Sequence, residues 1–221
     1  MFCHTCHAAI NSGVKKTMIK DIDTDVAVNA IAKIAARMII HALGENNYFN
    51  VITVSNGAKL IEPCVPYLSQ ATKFNKEKMQ IAINKIEKPN NVLNLTNGIL
   101  LAFYILNSAV GGNNRIYRVS CNKLIIVISD GLKGNYNNAG KAVFDRMNSE
   151  KIVRVFSYLV GLVKNPNDRA LKEMSCNNRG YFYKIETLGN IWNSVVEYLE
   201  VLSRSLASHK DEIKPTLSPV Y

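Results

Sequence analysis

Residues 124–128 read Leu-Ile-Ile-Val-Ile, and Ser129-Asp130-Gly131 ends the run. A strand with one wet face alternates apolar and polar side chains, whereas a strand covered on both faces does not. The run is short and closes in turn residues, so it predicts a strand buried between two layers. Residues 153–160, VRVFSYLV, predict a second strand of the same kind. Amphipathic stretches lie between such strands almost throughout. Alternating strands and helices predict an α/β fold: a doubly wound, mainly parallel sheet with helices on both faces. Ligands of such sheets sit at the carboxyl ends of the strands. Asp130 stands at one of those ends.

The remaining elements follow from spacing. Ile31, Ile34, Ala35, Met38 and Ala42 recur at helical intervals between Asp25 and Leu43, and Gly44 stops the helix. YFNVITV, residues 48–54, is β-branched and aromatic and predicts a strand. Asn56-Gly57 predicts a tight hairpin turn, with a short return strand over 58–61. Helices are expected over 73–86, 97–107, 138–147, 168–174 and 190–203, and a strand over 181–185. Residues 207–221 form a polar tail carrying two prolines, expected to begin a linker to a further domain.

The chain has 221 residues, a net charge of +10 and 48% hydrophobic residues. The lysines are scattered without interleaved aromatic residues, so the charge reads as solvated surface and not as a nucleic-acid face. No apolar run reaches the ~18 residues that span a bilayer, and the N-terminus lacks a secretory signal pattern. Any membrane association would come through a longer parent protein.

Cys3-His-Thr-Cys6-His7 has haem-attachment spacing but no second metal-binding pair at a useful distance, and reads as incidental. Gly134 to Lys141 resembles a phosphate loop, but five residues separate the glycines and Ala142 replaces the magnesium-binding hydroxyl. No nucleotide is expected. No histidine is placed for a nucleophile–base pair, so no enzyme is expected. Oxygen donors remain. Asp21, Asp23 and Asp25 precede the first helix, Thr96 opens another, and Asp130 ends a buried strand. Hard cations such as magnesium and calcium take oxygen ligands from several loops. Each of these residues is equally at home as a cap or turn former. Asn94-Leu95-Thr96 is a glycosylation acceptor pattern, relevant in a secreted protein.

In this order, an acidic loop, a threonine before a helix and a strand ending in SDG resemble a von Willebrand factor type A domain. FNVITVSNGAKLIEPCV (49–65), CNKLIIVISDG (121–131), KIVRVFSYLVG (151–161), MSCNNRGYFYKIETLG (174–189) and VVEYLEVLSR (195–204) are similar to one branch of that family. That branch is the alpha-2/delta auxiliary subunits of voltage-gated calcium channels. The resemblance covers residues 26–204. It implies a non-catalytic domain of a glycosylated parent on the extracellular face of the plasma membrane. It also implies a divalent cation, Mg or Ca, at a metal-ion-dependent adhesion site that contacts the channel's pore-forming subunit. Thr96 matches the family's second-loop threonine and Asp130 its third-loop aspartate. Cys64 and Cys176 match cysteines that the resemblance implies form disulfides. An adhesion or extracellular-matrix module of the same fold is the alternative.

The first loop departs from the family pattern D-x-S-x-S. A two-residue deletion brings Asp21, Asp23 and Asp25 onto it, with aspartates replacing both serines. Just upstream, SGVKKTMIK holds Lys15, Lys16 and Lys20, which a strand buried on both faces would not accommodate. Residues 1–20 are therefore expected to be a non-homologous or disordered segment, residues 21–206 the domain, and the central first strand missing. A sheet without its middle strand would leave two strand edges unpaired in the core, so marginal stability is expected.

Overall fold

The computed structural model describes residues 5–12, 22–87, 94–111, 122–130, 140–161, 168–185, 189 and 191–195. Seven strands alternate with five helices. In chain order these are β1 (Thr5–Ser12), α1 (Ile22–Ala42), β2 (Tyr48–Val54), β3 (Ala58–Leu60), β4 (Ser69–Gln70), α2 (Lys73–Asn84) and α3 (Leu95–Gly111). They continue with β5 (Asn122–Ser129), α4 (Lys141–Met147), β6 (Val153–Val160), α5 (Arg169–Asn177) and β7 (Tyr181–Ile185). A further helical turn covers 191–195.

All the strands join one sheet in the order β3-β2-β1-β5-β6-β7, with β4 on the edge of β2. β2, β1, β5, β6 and β7 run parallel, while β3 and β4 pair antiparallel with β2. The apolar runs behave as their lack of alternation predicts. On β5, Ile125 and Val127 enter the core under α3, α4 and α5. Their neighbours Leu124, Ile126 and Ile128 enter the core under α1 and α2. Phe156, Tyr158 and Val160 of β6 face that second core, and Val153, Val155 and Leu159 face the first. Burying each such side chain favours the fold by roughly 1.5–3 kcal/mol, and the two β5–β6 faces together form the centre of both cores.

The helices follow from local signals. Thr72 caps α2 by accepting from the Asn75 N–H at 3.3 Å. α1 and α2 also close each other's carboxyl ends. Lys76 Nζ donates to the Leu43 carbonyl at 2.8 Å, and Lys33 Nζ donates to the Asn84 carbonyl at 3.1 Å. A cation suits the partial negative charge of a helix C-terminus, so the two exchanges hold the pair in register. The chain turns at Asn56-Gly57, but Val54 pairs with Ala58, so Ser55, Asn56 and Gly57 make a three-residue connection instead of the expected two-residue turn, with the Ser55 N–H bonded to the Gly57 carbonyl at 2.8 Å. The two-residue strand β4 carried too little pattern to be foreseen. α3 is longer than expected at both ends.

The structure corrects the expectation of a missing central strand. Thr5–Ser12 is that strand. It lies between β2 and β5 and pairs with both, Ala9 standing opposite Val51 on one side and Ile126 on the other. The described strand ends at Ser12, ahead of the lysine-rich sequence 13–20. Ala8-Ala9-Ile10 is a weak signal because alanine, histidine and asparagine are poor strand formers in isolation. Pairing on both sides overrides that preference. The middle of the sheet is filled, and the case for marginal stability built on a gap there no longer holds. Cys6 and His7 of the CHTCH motif lie in this strand. The linker reading of 207–221 falls outside the described residues, as does all of 196–206.

Candidate functional site

The candidate ligands come from segments that meet the carboxyl edge of the sheet. β5 delivers Asp130 directly, since the strand ends at buried Ser129 and Asp130 follows half-buried. Two strands away, β2 ends at Val54, and the carbonyl of Ser55 accepts the Asn94 N–H at 2.7 Å. That bond ties the start of α3 to the same edge. The Asn94 side chain then caps α3, its Oδ1 accepting from the Asn97 N–H at 3.3 Å. Leu95 is buried beneath the first turn, and half-buried Thr96 follows it.

The sheet register levels these ends. Ser12 pairs with Val54, and Asn11 pairs with Ile128. The ends of β2 and β5 therefore flank the end of β1 at the same height. Neighbouring strands lie about 4.8 Å apart, so the ends of β2 and β5 stand roughly 10 Å from one another across β1. α1 reaches this edge from the other side. A Cβ on Gly161, at the end of β6, would meet Val28 Cγ2 at 2.6 Å, which fixes the early turns of α1 against that strand end. Gly161 has φ +99, a conformation that also favours glycine.

The three first-loop aspartates are placed differently. Asp23 and Asp25 lie in the first turn of α1, and Asp21 is outside the described residues. Both belong to the helix, where positions two apart are set about 200° apart around the axis. Carboxylates in a first turn also favour the helix itself by complementing its dipole. The strand correction adds a second difference. Asp21 lies nine residues beyond the end of β1 at Ser12, so the acidic cluster does not directly follow the strand. The residues that do end β1 are Asn11 and Ser12, which the sequence reading overlooked with the strand itself. An apolar triplet closed by Asn-Ser-Gly was the available signal.

The described candidates suit a hard cation in kind, because a hydroxyl and a carboxylate are both oxygen donors. Among the described residues no group of three or more His, Cys, Asp or Glu is placed to hold a metal.

Other sequence candidates fall elsewhere. Cys64 follows β3 at one sheet edge, and Cys176 lies in α5, which packs on β6 and β7 toward the other edge. Both are exposed free thiols, and in this fold they are too far apart across the sheet to bridge each other. Asn94 is exposed, with its side-chain oxygen used as the α3 cap. Of the phosphate-loop near-miss, only Gly140 and Lys141 are described, at the start of α4.

Comparison with known proteins places this architecture. The family model for the von Willebrand factor type A domain matches residues 18–197. The chain belongs to that family. The match begins downstream of β1. The domain is 34% identical over 183 residues to the human voltage-dependent calcium channel subunit alpha-2/delta-4, covering 82% of this chain and 15% of that protein. It is likewise 34% identical over 177 residues to the rat alpha-2/delta-3 subunit, covering 79% of this chain and 15% of the relative. The domain thus spans about 15% of the length of these relatives. Among solved structures, it superposes on a von Willebrand factor type A protein from Catenulispora acidiphila with a TM-score of 0.71 at 16% identity, covering 89% of this chain and 42% of that one. Proximal thread matrix protein 1 of the mussel byssus, with zinc in its MIDAS motif, gives a TM-score of 0.58 at 15% identity, covering 89% and 46%. These two likenesses establish the fold alone. No helix among the described residues is long and apolar enough to cross a membrane.

Proposed function

We propose that this domain serves a calcium-channel auxiliary subunit of the alpha-2/delta kind and binds the pore-forming subunit through a divalent cation at the carboxyl edge of its sheet. In this reading Asp130 and Thr96 hold a magnesium or calcium ion, and one carboxylate of Asp21, Asp23 or Asp25 completes the set. The cation supplies a bridge to a carboxylate of the partner. The domain's own part is to fix the donors: β5 presents Asp130, and the Ser55–Asn94 tie with the Asn94 cap presents Thr96. The role is non-catalytic and is exercised on the extracellular face of the plasma membrane. Cys64 and Cys176 would form disulfides with the rest of the parent.

The observation that carries this reading is the level register of the β2 and β5 ends on either side of β1, in a domain whose curated relatives are alpha-2/delta subunits. An adhesion or matrix role has only fold-level likeness behind it. The same triplet Asn94-Leu95-Thr96 supplies both the cation ligand and the glycosylation pattern, so a glycan on Asn94 would crowd the cation edge. The two uses compete, and the cation reading favours an unmodified Asn94.

The test is co-purification of a calcium-channel pore-forming subunit with a full-length parent carrying this domain. Capture in millimolar Mg2+ or Ca2+, lost with chelator and lost in Asp130→Ala, is the expected result. Capture that is indifferent to both would overturn the cation mechanism.

A further inference from the structure

Asn94-Leu95-Thr96 places an N-glycan acceptor pattern at the carboxyl edge. The fold leaves the acceptor usable. Asn94 is exposed, and the two polar atoms of its side chain have different partners. Oδ1 accepts from the Asn97 N–H and caps α3. Among the described residues nothing accepts a hydrogen bond from Nδ2, and Nδ2 is the atom that an N-linked glycan takes. The modified amide keeps its carbonyl oxygen, so the cap is compatible with the modification.

The position matters as much as the exposure. The Asn94 backbone is tied to Ser55, one residue beyond the end of β2. The end of β5, which leads into Asp130, stands roughly 10 Å from the end of β2 across β1. A glycan is bulky and hydrated. One rooted at Asn94 stands beside Thr96 and over the edge where a partner would approach, and it alters neither candidate ligand.

We propose that Asn94 is an N-glycan site that gates the carboxyl edge, a reading that rests on the cation-bridged contact proposed above. The glycosylated form is blocked, and the unmodified form makes the contact. The glycan donor is a polyprenyl-diphosphate-linked oligosaccharide. Asn94 Nδ2 attacks its anomeric carbon, a C–N bond forms and the C–O bond to the diphosphate breaks. The amide loses one proton, the polyprenyl diphosphate leaves with the electron pair, and nothing is oxidised or reduced. The Thr96 hydroxyl belongs to the acceptor pattern, and in the fold Thr96 is half-buried in the first turn of α3. Transfer therefore precedes closure of that turn. Transfer and folding compete, and both forms result.

The test uses the full-length parent, expressed through the secretory route of animal cells and passed over an immobilised calcium-channel pore-forming subunit in millimolar Mg2+ or Ca2+. Peptide mass spectrometry reads the glycan on Asn94 in the captured and the unbound fractions. The glycan should be at least tenfold rarer in the captured fraction. Asn94→Ser removes the acceptor and keeps a capping hydroxyl. It should be captured more completely than the wild type, and the gain should vanish in chelator and in Asn94→Ser/Asp130→Ala. Should Asn94→Ser fail to be secreted, the comparison of the two wild-type fractions decides alone. No glycan on Asn94, equal occupancy in the two fractions, or equal capture of Asn94→Ser and wild type would overturn the gate and leave the cation reading standing. Capture of Asn94→Ser that is indifferent to chelator and to Asp130→Ala, or no capture of it at all, would overturn the cation reading and the gate with it, whatever the occupancy of Asn94.

Discussion

Placing a proline in β1 separates a sheet with its middle strand from one without it. Ala9 lies at the centre of β1, opposite Val51 and Ile126. Ala9→Pro removes one backbone donor from the ladder, at a net cost of about 1 kcal/mol. The partner carbonyl left unsatisfied in the core adds about 1–3 kcal/mol. A proline ring in a strand paired on both sides also clashes with its neighbours, which is why proline is confined to edges and bulges. The total is about 3–4 kcal/mol, against a stability of roughly 5–15 kcal/mol for a domain. At about 2–4 °C per kcal/mol for this size, the melting temperature should fall by roughly 10 °C. Urea unfolding followed by circular dichroism would report it as a lower midpoint. A midpoint and slope equal to those of the wild type would show that residues 5–12 take no part in the sheet, and would refute the central placement of β1.

Four other expectations follow. Gly180→Ala should cost about 3 kcal/mol or more in chemical unfolding, because its Cβ would lie 1.6 Å from the Val155 carbonyl oxygen, a backbone atom of β6 that cannot swing aside; a loss under about 1 kcal/mol would contradict this packing. Arg179→Gly should instead stabilise by about 1 kcal/mol, since Arg179 has φ 52 at the end of α5 and its carbonyl contact with Arg154 Nε is kept; a lower melting temperature would contradict it. Asn94→Ala should cost about 1 kcal/mol through the lost α3 cap while Asn94→Asp stays near wild type, and equal melts for the two would remove the cap. Hydrogen bonding to Lys172, and then to Lys184, holds the Asp168 carboxyl below its usual value; its stabilising effect is present above the unfolded value near 3.9 and is lost as pH falls through the lower folded value, so Asp168→Asn should reduce stability by up to about 1 kcal/mol at pH 7 and by little at pH 2, and a deficit that grows on acidification would have the wrong sign.

Much of the fold was legible because burial on two faces writes itself into composition. LIIVI and VFSYLV admit few readings besides strands between two cores, and Asn56-Gly57 admits few besides a turn. β1 was hidden because its interior is two alanines and one isoleucine, and its place is decided by partners far along the chain. The lysines at 15, 16 and 20 that argue against a buried strand belong to the sequence after β1 and not to β1 itself. Of the candidate site, Asp130 was legible as a carboxylate at a strand end, and Thr96 as a residue opening an apolar helix. The tie from Asn94 to Ser55 was not legible, since it joins residues 39 apart through backbone atoms. Nor was the entry of Asp23 and Asp25 into the first turn of α1, where the helix spreads around its axis positions that sequence spacing had grouped.

The account turns on whether the carboxyl edge holds a cation through Asp130 and Thr96. Isothermal titration of Mg2+ and Ca2+ into the full chain, its Asp130→Ala variant and its Thr96→Ala variant measures this directly. The account predicts a saturable one-to-one heat for the wild type with at least one of the two ions, abolished by Asp130→Ala and weakened at least tenfold by Thr96→Ala. Equal heats in all three proteins, or no heat in the wild type, would contradict it.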